Sequence, residues 1–294
     1  MTRIYKPLSH PAWTQTCLEG RRPPPPCVLT VAGSDCGGGA GIQADIKTFM
    51  ALGLYGSSVI CALTSQNGEG VNGIFPVNPE FVTQQLNTVL DGFPVQALKT
   101  GMLFSKDIIK AVAGCLAEHS LAVVVDPVCI SQSGHRLLEE DAIEALKKYL
   151  LPLAHVLTPN RPEAELLSGI KIDNENDVKA AGEKMIEMGA GAVLIKGGHF
   201  SSYDGMVTDW LIFPGHEPEA LPQRKIDTVN NHGTGCTLAA AIASHLALGM
   251  TLREAVLRSQ LYLHTCLKAS YNPGKGHGPV NHAAPLFSQS EWGK

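Results

Sequence analysis

The sequence predicts an α/β protein built on a central, mostly parallel sheet flanked by helices. Two observations carry that prediction. Short apolar runs alternate with longer stretches of helical spacing from Val28 to Ala269. The two richest glycine turns each lead directly into a helical stretch, as the turns of such folds do.

The elements follow in order. Residues 28–32 read as a buried strand and 33–39 as a glycine-rich turn. Residues 40–52 read as a helix, because Ile42, Ile46, Phe49 and Met50 fall on one side. Strands are expected at 57–63, 95–100, 122–125, 192–195 and 206–213. Helices are expected at 79–90, 107–118, 141–150, 163–167 and 177–188. Two last helices, 237–248 and 252–269, close the pattern. Residues 1–26 stand apart, with no periodic apolar pattern and the run Pro23-Pro24-Pro25-Pro26. They read as a disordered or loosely docked arm ending in a stiff polyproline segment, a plain linker in preference to an SH3-type ligand. Residues 27–294 contain no strong linker and no internal repeat, so one domain is expected.

Composition removes several function classes. With 44% hydrophobic and 17% charged residues over 294 positions, the chain is not disordered and is long enough to fold without staples. Lys and Arg number 23 against 27 Asp and Glu, a net charge of −4. That leaves no basic footprint for nucleic acid or an anionic membrane. No run of 18 apolar residues occurs, and Lys6, His10, Gln15 and Glu19 interrupt the first segment. Neither a transmembrane helix nor a secretory leader is expected. The eight cysteines form no C-x-x-C or paired Cys/His pattern, which argues against zinc and for reduced thiols in a cytoplasmic protein.

Four motifs carry candidate chemistry. The turn from Gly33 to Gly41 lets backbone approach a ligand closely at a helix start. It matches neither the dinucleotide fingerprint nor the Walker A pattern, and a purely structural turn is the alternative. His232-Gly233-Thr234-Gly235-Cys236-Thr237 opens an Ala-rich helix. Its free amides suit an anion, and the helix dipole predicts a lowered thiol pKa for Cys236. The alternative is a cap with a small buried residue. Asp126 ends a strand, where ligands of open sheets lie, and Asn160 and Glu163 share one helix face. These oxygens suit Mg²⁺, or else a turn former and an N-cap. Lys196-Gly197-Gly198-His199 follows a strand and places a cation at its end, for phosphate or for solvent.

Taken together the motifs resemble a family. Ala32-Gly33-Ser34-Asp35, Gly38-Gly39-Ala40-Gly41-Ile42-Gln43-Ala44-Asp45, Gln66-Asn67, Gly101-Met102-Leu103, Asp126-Pro127-Val128, Asn160-Arg161-Pro162-Glu163 and the two turns above occur in one chain. Their order resembles the hydroxymethylpyrimidine/phosphomethylpyrimidine kinases of thiamine biosynthesis, over about residues 28 to 283. The resemblance implies a ribokinase-like three-layer sandwich, commonly a homodimer. It implies ATP and Mg²⁺, and a small pyrimidine alcohol phosphorylated once and then again. Pyridoxal or pyridoxine kinase is the nearest rival. By position, Cys236 is the expected base, with Gly233, Thr234 and Gly235 in its anion hole. Gly33, Asp45, Gln66, Met102 and Val128 are expected at the substrate. Lys196, Asn160 and Gly235 are expected at the phosphates, and Asp126 and Glu163 at the metal. Most sugar kinases of the superfamily have Asp in place of Cys236. Many family members have Pro-Ser where this chain has Cys36-Gly37, which leaves the first loop without proline's rigidity. The loop after Cys129 reads as either a lid or an ordinary surface loop.

Overall fold

Cys27–Asp35 forms the first strand, β1, because both of its faces find an apolar partner. Val28 packs into one core, and Leu29 and Val31 into another on the opposite side. That two-sided burial marks an interior strand of a parallel sheet. The structure is a computed structural model that describes residues 24–129, 138–199 and 205–286. Positions 1–23 of the expected arm, and the expected lid loop beyond Cys129, lie outside those residues.

After β1 the chain runs through α1 (Gly41–Ala51) into β2 (Tyr55–Asn67) and β3 (Gly70–Pro76). Next come α2 (Pro79–Gly92), β4 (Val95–Thr100), α3 (Lys106–Leu116) and β5 (Ala122–Val125). A short helix α4 (Glu140–Ala145) unwinds through a π turn, Leu146–Leu150, before β6 (Val156–Leu157). Helices α5 (Arg161–Ser168) and α6 (Glu175–Glu187) then precede β7 (Val193–Ile195), β8 (Met206–Ile212) and β9 (Glu219–Arg224). Two helices, α7 (Thr234–Ala247) and α8 (Leu252–Lys268), end the pattern.

The nine strands lie in the order β3-β2-β1-β4-β5-β6-β7-β8-β9. Strands β2, β1, β4, β5, β6 and β7 are parallel, and β3, β8 and β9 run antiparallel to their neighbours. One apolar core lies between the sheet and α2 to α6, the other between the sheet and α1, α7 and α8. This is the expected sandwich of three layers. Strands β3, β6 and β9 were not foreseen. β3 carries two glycines at an exposed edge, β9 is polar and contains Pro222, and β6 has only two residues. None offers the apolar run or alternation that sequence reading detects. The chain leaves β1 toward β2 on one side and returns through β4 on the other. The crevice at the carboxyl ends of β1 and β4 is therefore where an open α/β sheet binds ligands.

Candidate active site

Two loops meet over that crevice. The first follows β1 and is shaped by Asp35, whose carboxylate accepts the backbone N–H groups of Gly37 (2.8 Å), Gly39 (3.0 Å) and Ala40 (2.8 Å). The second is the turn that opens α7. Gly233 adopts φ +80°, and a side chain there would collide with the Gly39 carbonyl. His232 Nε2 lies 2.9 Å from Asp35 Oδ2 and ties the loops together. Burial pushes the Asp35 carboxyl up, but bonds from His232, Ala40 and Gly37 outweigh it and hold Asp35 below the usual range. Asp35 and His232 both stand inside motifs picked out in sequence, but neither was given a role there. Their signal is a contact across 197 residues.

Gln66, near the end of β2, stands beside this junction. Its amide nitrogen is 3.4 Å from His232 Nε2 and its amide oxygen 3.2 Å from Thr64 Oγ1. The thiol of Cys36 lies 3.1 Å from the Gln66 carbonyl and 3.3 Å from its N–H. The cysteine that replaces the family's proline region thus pins the first loop to β2. Met102, Val128 and Phe104 gather with Ala62 into a small apolar cluster outside the main cores. The Met102 side chain lies over the Gly33 Cα. Phe104 (φ 68°) and Val128 (φ 43°) are the non-glycine residues of positive φ among those described. A β-branched residue in that region is strained, and strain of this kind collects at ligand walls. Phe104 had no sequence signal.

The other half of the site is charged. Lys196, just past β7, places Nζ 3.0 Å from Asp126 Oδ1, which Thr158 Oγ1 also meets at 3.2 Å. Burial lowers the Lys196 pKa, yet the Asp126 and Glu163 carboxylates more than offset it and hold the ammonium charged. A Cβ on Gly235 would lie 3.4 Å from Lys196 Nζ and 3.7 Å from Asp126 Oδ2. The α7 N-terminus, the lysine and the aspartate therefore share one small space. Helix α7 has no side-chain cap; the Thr234 N–H donates to the Asn231 carbonyl at 3.3 Å, and the amides of Gly235 and Cys236 remain for an anion.

Some expected residues are placed otherwise. Asp45 does not line the crevice. It is wholly buried, with both oxygens on Lys99 Nζ (3.0 and 2.8 Å) and Oδ2 also on Thr30 Oγ1 (2.6 Å). A carboxylate sealed under the sheet can only lie beneath a ligand, because a cation from β4 has claimed it. The Asp45 carboxylate holds Lys99 charged against its burial. Asn160 accepts the Glu163 N–H at 2.9 Å while Glu163 Oε2 accepts the Asn160 N–H at 2.9 Å, a capping box on α5. The N-cap alternative therefore describes Asn160, whose amide oxygen is committed locally. Glu163 Oε1 also accepts the Cys129 N–H at 3.2 Å, and burial raises its pKa.

The expectation of a lowered Cys236 pKa is corrected. Burial pushes the thiol up to about 11, with Lys99 and a bond from the Gly41 N–H working against it. The physical reason is that desolvation of a thiolate outweighs one helix terminus. Sulfur nevertheless meets the starts of two helices, its own and α1.

A glycine loop, an uncapped helix start, a lysine and two carboxylates at the carboxyl edge of this sandwich define a phosphotransferase of ribokinase-like architecture. The comparisons with known proteins are specific. Residues 35–281 match the family model described as phosphomethylpyrimidine kinase, and the chain belongs to that family of kinases of thiamine biosynthesis. It is 47% identical to the hydroxymethylpyrimidine/phosphomethylpyrimidine kinase of Rhizobium meliloti, over 86% of this chain and 96% of that one. It is also 47% identical to the thiamine biosynthesis bifunctional protein of Geobacter sulfurreducens. That alignment covers 94% of this chain but only 57% of the longer protein. Among solved structures, the phosphomethylpyrimidine kinase of Clostridium difficile is 43% identical, with a TM-score of 0.71 over 81% of this chain and 97% of that one. The Bacillus subtilis pyridoxal kinase, solved as an ADP complex, is 35% identical, with a TM-score of 0.83 over 90% of this chain and 100% of that one.

Proposed function

We propose that this kinase transfers the γ-phosphoryl group of ATP to the hydroxymethyl oxygen of 4-amino-5-hydroxymethyl-2-methylpyrimidine, and then phosphorylates the monophosphate to the diphosphate. The observation that carries the reading is the meeting of Cys236, the Gly41 N–H and the uncapped start of α7 beside Lys196 and Asp126. An alcohol seated between the Met102–Val128 wall and Gln66 has its oxygen beside that thiol. The oxygen–phosphorus bond forms as the bond from phosphorus to the bridging oxygen of ADP breaks, and the alcohol proton passes to Cys236 in its thiolate form, the minor species at neutral pH while burial lifts the thiol to about 11. Lys99 from below, and the amides of Gly233, Gly235 and Cys236, hold the negative charge that develops, while the expected Thr234 N–H already donates to the Asn231 carbonyl at 3.3 Å. Lys196 meets the phosphates as a point charge.

Mg²⁺ fits here as a shared ion. Among the described residues no group of three or more His, Cys, Asp or Glu side chains could hold a metal. Asp126 and Glu163 would supply two carboxylates and the ATP phosphates the rest, as Mg²⁺ prefers. Bound there, it neutralises triphosphate charge. No helix among the described residues is long and apolar enough to cross a membrane. We place the enzyme in the cytoplasm, with residues 27–294 as one kinase domain working as a homodimer.

The test is product analysis with ATP, Mg²⁺ and the pyrimidine alcohol, followed by chromatography of mono- and diphosphate. Pyridoxal is run in parallel, because the pyridoxal kinases superpose well. The expected result is both pyrimidine phosphates, with pyridoxal the poorer substrate. Pyridoxal phosphate formed faster than the pyrimidine monophosphate would overturn the assignment.

A further inference from the structure

The junction of the two loops contains a hydrogen-bond puzzle whose solution has a consequence for specificity. Thr64 Oγ1 lies 2.9 Å from the Ser34 carbonyl and 3.2 Å from the Gln66 amide oxygen. A hydroxyl has one proton, and the carbonyl can only accept it. Toward Gln66 the hydroxyl therefore accepts. At the other end, His232 Nε2 faces the Asp35 carboxylate at 2.9 Å, so whichever charge the ring carries, Nε2 holds a proton. That nitrogen cannot accept from the Gln66 amide nitrogen 3.4 Å away. Both ends favour the same amide orientation, with nitrogen on Thr64 and oxygen on His232, where the one Nε2 proton is shared between the Asp35 carboxylate and the amide oxygen. The two ends of an amide are close to isosteric, and only such a network tells them apart.

We infer that His232, held by Asp35, is a positioning residue that fixes which end of the Gln66 amide donates and which accepts, and so selects the ring that binds. One N–H and one oxygen lone pair of Gln66 remain outside this network, in a fixed order. That order suits a heteroaromatic ring with an acceptor nitrogen beside an exocyclic amino donor. A ring with a hydroxyl and no amino group matches it less well. The inference rests on the reading that Gln66 meets the substrate ring. Packing keeps the imidazole in place, since its edge lies against the Gly39 Cα and the His232 backbone bridges to Pro279.

The test uses the full chain with Gln66→Leu, His232→Phe and His232→Gln. Phenylalanine keeps a ring but removes the donor, and glutamine places an N–H near the position of Nε2. Steady-state kinetics are measured for the pyrimidine alcohol, for ATP and for pyridoxine. His232→Phe should raise the pyrimidine KM by about 10- to 100-fold, the range of one or two lost buried hydrogen bonds. It should leave the ATP KM and kcat within about threefold, and narrow the preference over pyridoxine. His232→Gln should recover most of the pyrimidine KM. If Gln66→Leu raises the pyrimidine KM and His232→Phe does not, His232 has no such role and the reading of Gln66 survives. If neither moves it, Gln66 does not meet the ring and both ideas fall. A parallel loss of ATP KM and kcat in His232→Phe would mark a merely structural residue and overturn the inference. Should the variants not fold, neutron diffraction from crystals grown of the wild-type protein decides it. A deuteron on His232 Nε2 and the Gln66 nitrogen on Thr64 are expected, and the reverse amide sinks the proposal.

Discussion

The two ends of the site are built on different physics. The phosphate end collects formal charges, each at the carboxyl end of its own strand: Asp126 after β5, Lys196 after β7, and Lys99 within β4 below them. The ring end has Asp35 as its buried charge, and that charge is spent on loop amides and His232. Its recognition is left to an amide, a thiol and a strained apolar wall. Phosphates are alike in every kinase, so point charges on rigid strands suffice for them. A ring must be told from other rings, and that requires donors and acceptors in a fixed order.

The largest expected effect lies where the two ends meet. Cys236→Ala should keep the fold and lower kcat by about 10²–10⁴, the usual contribution of a positioned base. Cys236→Asp should retain more activity, with kcat measured across pH and folding followed by circular dichroism. Because burial lifts the thiol to about 11, its thiolate fraction should still be rising through pH 10. Alkylation of Cys236, followed by mass spectrometry, should accelerate about tenfold per pH unit between 7 and 10. A plateau near neutral pH would show that the two helix starts outweigh desolvation. An Ala variant as fast as wild type would make Cys236 a packing residue.

Next comes the floor of the phosphate end. Lys99→Met leaves the Asp45 carboxylate buried without its cation, and breaking such a pair costs about 3–5 kcal/mol. Urea unfolding should show a lower midpoint with an unchanged slope. A loss under about 1 kcal/mol would mean that Asp45 takes up a proton at little cost, and that the ion pair does not brace the site. The ring end predicts a different signature. Gln66→Leu should cost about 2–4 kcal/mol in kcat/KM for the pyrimidine and almost nothing for ATP. Equal losses for both substrates would erase the distinction between the ends.

The same contrast explains what was legible in sequence. Asp126, Lys196 and Glu163 stand beside strand ends or helix starts that apolar runs reveal, so each could be named alone. The glycine turns were legible because φ above zero and backbone contact select glycine, as at Gly233. Asp35 and His232 were not, since their meaning is a bond between residues far apart in the chain. Asp45 was named, but its complete burial was not foreseen, nor was the desolvation felt by the half-buried Cys236. Sequence shows that a side chain is ionisable and not how much water the fold leaves around it. The edge strands β3 and β9 escaped for a related reason. Backbone pairing with a neighbour holds them, and their own residues carry no apolar pattern.

The smallest effect tests whether Glu163 belongs to the phosphate end at all. It has a structural duty that any reading must subtract: Oε1 accepts the Cys129 N–H, and Oε2 closes the capping box with Asn160. Glu163→Gln keeps one of these bonds and turns an amide against the other N–H. That alone should lower stability by about 1 kcal/mol, the usual worth of a cap. A carboxylate that also helps to hold Mg²⁺ loses its negative charge in the same change and keeps one neutral oxygen donor. The Mg²⁺ concentration for half-maximal rate should then rise several-fold, while kcat at saturating Mg²⁺ changes little. Titrating Mg²⁺ at fixed ATP, beside a thermal unfolding curve, separates the two contributions. If the unfolding curve shifts and the Mg²⁺ curve stays, Glu163 is a cap and nothing more. The metal would then rest on Asp126 and the phosphates alone.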